Sequence, residues 1–123
     1  MQLPSFHDGR FDGFRIGANK HVRLYLTTAQ SESFGLALEG VEALILLDVR
    51  QGNIIFDVVI RTGHELTISD IEYVYGIRNT PTDAGRLLNA AVDKGLQLLE
   101  INPSYGAEGM VLFRTWKLQP QSD

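Results

Sequence analysis

Apolar and polar residues alternate through much of the first forty positions. In KHVRLYLTT, residues 20–28, Val22, Leu24 and Leu26 alternate with His21, Arg23 and Tyr25; in SESFGLALEG, residues 31–40, Phe34, Leu36 and Leu38 repeat the pattern. A period of two places each set on one face of a half-buried strand. A shorter aromatic stretch, Phe11 to Ile16, comes first, and the connector GANK supplies Gly17 and Asn19, which tolerate positive φ. Together the three segments predict an antiparallel meander.

The most apolar segment is NIIFDVVIRT, residues 53–62. Strict alternation puts Ile54, Phe56, Val58 and Ile60 on one face, and Ile55 and Val59 around Asp57 on the other. Apolar residues on both faces imply a central strand whose second side is covered by a helix or by a partner. VEALILLDVRQGN, residues 41–53, is ambiguous: Val41, Leu44, Ile45 and Asp48 fall at helical spacing, which favours a short helix or an irregular crossing segment over a strand.

Helix signals follow. Thr67 with Asp70 has the spacing of a capping box, Ile68, Ile71 and Val74 form a stripe, and Gly76 is a natural stop. Thr80 as N-cap, Pro81 in the first turn and Asp83 open a second helix, whose face of Leu87, Leu88, Ala91 and Val92 runs to Gly95. LQLLEI and MVLFRTWKL then predict closing strands around a wide, turn-rich loop, NPSYGAEG at 102–109. The expected fold class is α+β: a mainly antiparallel sheet of about six strands with one or two helices packed on it. It forms a single globular domain over 1–118, followed by a frayed tail at 119–123.

Composition narrows the function classes. The chain has 123 residues, 44% hydrophobic and 21% charged, which suits one domain with its own core. Its formal net charge is −4 and its arginines and lysines are scattered, which argues against a nucleic-acid partner. It has no cysteine, so disulfides, thiolate metal sites and thiol nucleophiles are excluded, and the cytoplasm is the expected compartment. The apolar runs are too short to cross a membrane as a helix, so no membrane partner is expected. No cofactor is implied: neither a phosphate-cradling glycine loop nor a serine-hydrolase elbow occurs.

Three places carry candidate chemistry. FHDGRFDG, residues 6–13, sets His7, Asp8 and Asp12 close together; three such side chains bind zinc, manganese or iron if His21 or His64 adds a fourth ligand, or they move protons. The same string also reads as a turn entering the first strand, with a bulge at Gly13 turning Asp12 to water. Asp57 is the second place: with Glu100 it would form an acid–base couple, and with Arg23 or Arg61 a salt bridge across the sheet. In the third, Asn102, Ser104, Tyr105 and Glu108 line the wide loop, and a polar ligand would sit between Tyr105 and Arg114.

The strings LPSFHDGRFDGF, GNIIFDVV and INPSYGAEGMVLFR resemble a family of small uncharacterised bacterial proteins, over most of the chain. His7 and Asp8 ahead of an antiparallel sheet also resemble immunity-type proteins of bacterial toxin systems. The first likeness supports the α+β fold and, with no established activity or catalytic residues to carry over, leaves function open; the second implies binding to a toxin. The leading expectation is a non-catalytic binding domain presenting the His7 loop and the 102–109 loop to a protein partner or a second copy of itself. Its rival is a metal-dependent or acid–base enzyme using His7, Asp8 and Asp12.

Overall fold

The computed structural model describes residues 2–78 and 81–121. Eight strands, β1 (Arg10–Ile16), β2 (Val22–Thr27), β3 (Ser33–Glu39), β4 (Ala43–Leu47), β5 (Asn53–Thr62), β6 (Gln97–Tyr105), β7 (Glu108–Phe113) and β8 (Thr115–Pro120), form one antiparallel sheet. Two helices, α1 (Ile68–Tyr75) and α2 (Pro81–Asp93), lie between β5 and β6 in the chain. The fold is therefore α+β, an antiparallel sheet with two helices packed on it. Neither helix is long and apolar enough to cross a membrane.

In the order β4-β7-β6-β5-β1-β2-β3-β8 the sheet has two four-stranded halves. They join through β1 and β5 at only two residue pairs, Arg10 with Ile54 and Phe11 with Asn53. They join again where β3 runs into β4 and β7 into β8, so the β3–β8 and β4–β7 ladders are one bent ribbon. At the bend the Arg114 amide donates to the Glu39 carbonyl (2.9 Å) and the Glu42 amide to that of Leu112 (2.8 Å). Gly40 sits at this corner with φ 66°, and a Cβ there would lie 2.8 Å from that of Arg114. The sheet thus curls round a main core, with Phe11, Leu24, Leu26, Leu36 and Leu38 from one half meeting Ile55, Leu99, Ile101, Val111 and Phe113 from the other.

Alternation along β6 and β7 sends the neighbouring residues outward: Leu98 and Leu112 join Leu66, Ile71, Val74, Ala84 and Ala91 in a second core beneath the helices. Burying each large side chain contributes about 1.5–3 kcal/mol. The α1 capping and stop signals are realised, and of the expected stripe Ile71 and Val74 are buried while Ile68 stays exposed. Thr67 accepts from the Asp70 amide (3.1 Å), Asp70 accepts from the Thr67 amide (2.9 Å), and Gly76 closes the helix at φ 68°. The N-cap expected at Thr80 lies outside the described residues.

The meander of β1, β2 and β3 forms as expected, but other expectations need correction. Residues 43–47 are a strand rather than a helix: Leu44 and Leu46 pack on the main core while Ala43 and Ile45 pack toward the helices. With both faces covered, no polar alternation marks the strand. NPSYGAEG is not a wide loop, since β6 continues through Tyr105 and β7 begins at Glu108, leaving Gly106 and Ala107 as the turn. The expected tail begins too early, because β8 continues to Pro120 and the Gln121 amide bonds the Ser33 carbonyl (2.9 Å). In β5 the predicted phase fails at its start. The β5–β6 register shifts on either side of Ile55, so Ile55 is the buried residue and Ile54 and Phe56 are exposed.

Candidate interaction surface

Phe6 to Gly9 form a turn that anchors the chain entry to β5. The Phe6 ring is buried and meets Phe34 edge-on at 6.1 Å, and the Gly9 amide donates to the Phe6 carbonyl (2.8 Å). Asp8 takes φ 62°, in the left-handed region that aspartate tolerates. The turn then pairs with β5: the Asp8 amide donates to the Ile55 carbonyl (3.0 Å) and the Ile55 amide to that of Gly9 (2.9 Å). Gly9 has no room for a side chain, because a Cβ would stand 2.2 Å from the Thr27 carbonyl oxygen.

His7 projects from this turn over β5. Its Nδ1 lies 2.9 Å from the Phe56 carbonyl oxygen, and because a carbonyl only accepts, Nδ1 carries the proton. The ring stands edge-on to the Phe56 ring, centroids 5.4 Å apart. Nε2 is 3.6 Å from the Asp8 carboxylate, too long for a hydrogen bond. Asp12 does not join them. It is the extra residue of a bulge between Phe11 and Gly13, where it accepts from the Thr27 hydroxyl and faces the Arg10 guanidinium at 3.4 Å. Among the described residues, no three His, Asp or Glu side chains converge as a metal site requires.

What the His7 turn and the end of the β6–β7 hairpin share is one exposed apolar patch. Ile54 pairs across the strands with Tyr105, and with Phe56 they are 41%, 52% and 53% exposed. Neither Ile54 nor Phe56 stands out in the sequence, because simple alternation points both inward. The signal lay in NIIFDVV itself, where the apolar positions on either side of Asp57 exceed what one face can bury.

Asn53 holds the patch from below. Fully buried, it accepts from the amides of Arg50 (2.7 Å) and Ala107 (3.0 Å) and donates to the carbonyls of Phe11 (3.2 Å) and Arg50 (2.6 Å). One side chain thus ties β1, the β4–β5 turn and the β6–β7 turn. Gly106, φ 87°, lets the second turn approach, since a Cβ there would come 2.4 Å from the Asn53 amide oxygen.

Beside the patch, the outer face of β5 and β6 is polar. Asp57 accepts from Asn102 (2.7 Å) rather than from Arg23 or Arg61. Arg23 donates to Gln119 (2.9 Å), whereas Arg61 grips both carboxylate oxygens of Asp70 and one of Glu100, each at 2.8 Å. The Asp70 bonds hold the Arg61 guanidinium firmly charged against the opposing effect of burial. Burial pushes the Asp70 carboxyl up, but the Arg61 and Thr67 bonds outweigh it and hold it below its usual value. Asp57 and Glu100 are committed to different partners, so they make no acid–base couple.

Tyr73 of α1 donates to Glu108 (3.1 Å), and burial, that bond and the charges of Glu108 and Asp48 push its hydroxyl up to about 12. Tyr73, Glu100, Asn102 and Glu108 line a shallow cavity of about 140 Å³. Arg114 does not face Tyr105. It lies at the corner beside Gln97, the far end of β6, about 25 Å of strand away. The ligand site expected between those two residues is not formed.

No protein-family model, curated protein or solved structure matches the chain.

Proposed function

We propose that the chain is a small, non-catalytic α+β interaction domain, and that its partner is a protein. The observation that supports this most is the uncovered patch of Ile54, Phe56 and Tyr105 on a rigid base. Exposed aromatic side chains fixed by their surroundings are what interface centres are made of, since little side-chain freedom is lost on binding. His7 supplies that fixing at Phe56, and Asp8 and Asp57 give the patch a polar rim. The enzyme reading loses support because His7 and Asp12 hold different partners on different strands.

The test compares capture of partners from the source cell's extract by the wild-type chain, by a Phe56→Ser/Tyr105→Ser double variant and by Phe14→Ser, which removes an exposed aromatic elsewhere. The reading predicts a discrete protein partner retained by Phe14→Ser and lost by the double variant, with circular dichroism unchanged. A partner retained equally by all three removes the patch from the proposal. Sedimentation showing a dimer that only the double variant breaks assigns the patch to a second copy.

A further inference from the structure

The two end strands of the sheet are defended differently. β8, TWKLQP, carries Lys117 and Pro120, a charge and a missing backbone donor that discourage further strand pairing. β4, ALILL, carries neither, and among the described residues it pairs with β7 alone. Every second residue of β4 therefore turns its amide and carbonyl away from β7, toward a position where another strand would pair.

That position adjoins a groove. A cavity of about 540 Å³ lies between β4 and α1, walled by Ile45 and Leu47 from the strand, Ser69, Glu72 and Tyr73 from the helix, and Ile77 just beyond it. Free edge backbone and an apolar groove under a neighbouring helix recognise an extended polypeptide: the edge bonds its main chain, and the groove takes alternate side chains. The charges around it select further. Glu72 lines the groove, Glu108 lies opposite Leu47 and is bonded to Tyr73, and Asp48 follows β4 closely enough to act on the Tyr73 hydroxyl. Two cations stand against these three carboxylates: Arg78, which lines the groove, and Arg50, 3.9 Å from Asp48, so the surroundings keep a small acidic excess.

We propose that the β4 edge and this groove form a strand-addition site for an extended segment of a partner protein with alternating apolar and basic residues. The site is separate from the Phe56 patch. A second copy of the chain fits less well: its β4 brings the same acidic surroundings and no basic residue of its own, in chains of net charge −4 each.

The probe is a fluorescent peptide of alternating valine and arginine, compared with one in which glutamate replaces arginine and with one whose backbone is N-methylated at alternate residues. The proposal predicts saturable binding of the arginine peptide, with amide exchange in residues 43–47 slowed about tenfold or more in the complex. It predicts binding weaker by about tenfold or more for the glutamate peptide, and none for the N-methylated one. Both Leu47→Lys at the edge and Ser69→Trp in the groove abolish binding, while Phe56→Ser leaves it intact. Absence of saturable binding, tolerance of N-methylation, equal binding of the glutamate peptide, or protection elsewhere than residues 43–47 overturns it. So does a dimer of the free chain that Leu47→Lys dissociates.

Discussion

His7 grips Phe56 twice: its Nδ1 bonds that residue's carbonyl oxygen at 2.9 Å, and its ring meets the phenyl ring edge-on with centroids 5.4 Å apart. The turn that carries His7 is itself bonded to β5 through Asp8, Gly9 and Ile55. A residue that looks catalytic by type thus supports an exposed aromatic. His7→Ala is expected to cost about 0.5–1.5 kcal/mol in urea unfolding and to broaden the distribution of Phe56 rotamers seen by NMR. An unchanged Phe56 environment contradicts a supporting role.

Gly9 is required for space, and Gly52 for conformation. A Cβ at Gly9 would stand 2.2 Å from the Thr27 carbonyl and 2.9 Å from that of Phe6, and the first cannot yield without moving β2. At Gly52, φ 80°, a Cβ would have nothing within 4 Å of it. Gly9→Ala should therefore cost roughly 2–4 kcal/mol and Gly52→Ala about 1–2 kcal/mol, measured by chemical denaturation. Equal losses contradict the close packing of the turn on β2.

Asn53 should be among the most sensitive polar positions. Replacing it with alanine strips partners from the amides of Arg50 and Ala107 and from the carbonyl of Phe11, at a cost of about 2–3 kcal/mol. Amide exchange should accelerate in both turns at that end, while α1 keeps its protection.

Stability should respond to pH at both extremes. The Asp70 carboxyl is held below its unfolded value, so its contribution is present above the usual aspartate range and disappears as pH falls through the lower folded value. Asp70→Asn should flatten this acid limb. Tyr73 is pushed up to about 12, above the unfolded tyrosine value, so the folded state holds its proton longer and stability falls between about pH 10 and 12. Tyr73→Phe should reduce that alkaline decline, read from urea midpoints across the range, and leave the part that Tyr75 contributes, since burial pushes its hydroxyl up as well.

Much of the fold is legible in residue types. Thr67, Asp70 and Gly76 specify both ends of α1, and the alternation from Val22 to Leu38 specifies two strands of the meander. β4 is hidden because Ala43 and Ile45 serve one core while Leu44 and Leu46 serve the other. The patch is hidden because a register shift at Ile55 decides which of three consecutive apolar residues faces water, and it depends on pairing with β6. His7 and Tyr105 are legible as surface residues of interest, though nothing local shows that both flank the same stretch of β5. Asn53 reads only as the polar first residue of a strand, since its partners on Phe11 and Ala107 lie 42 and 54 residues away.

The most direct test is the patch itself. Capture experiments with the wild-type chain and the Phe56→Ser/Tyr105→Ser variant, both verified as folded, should show a protein partner whose binding weakens by about tenfold or more in the variant. A partner bound equally well by both contradicts the assignment of this surface as the binding face.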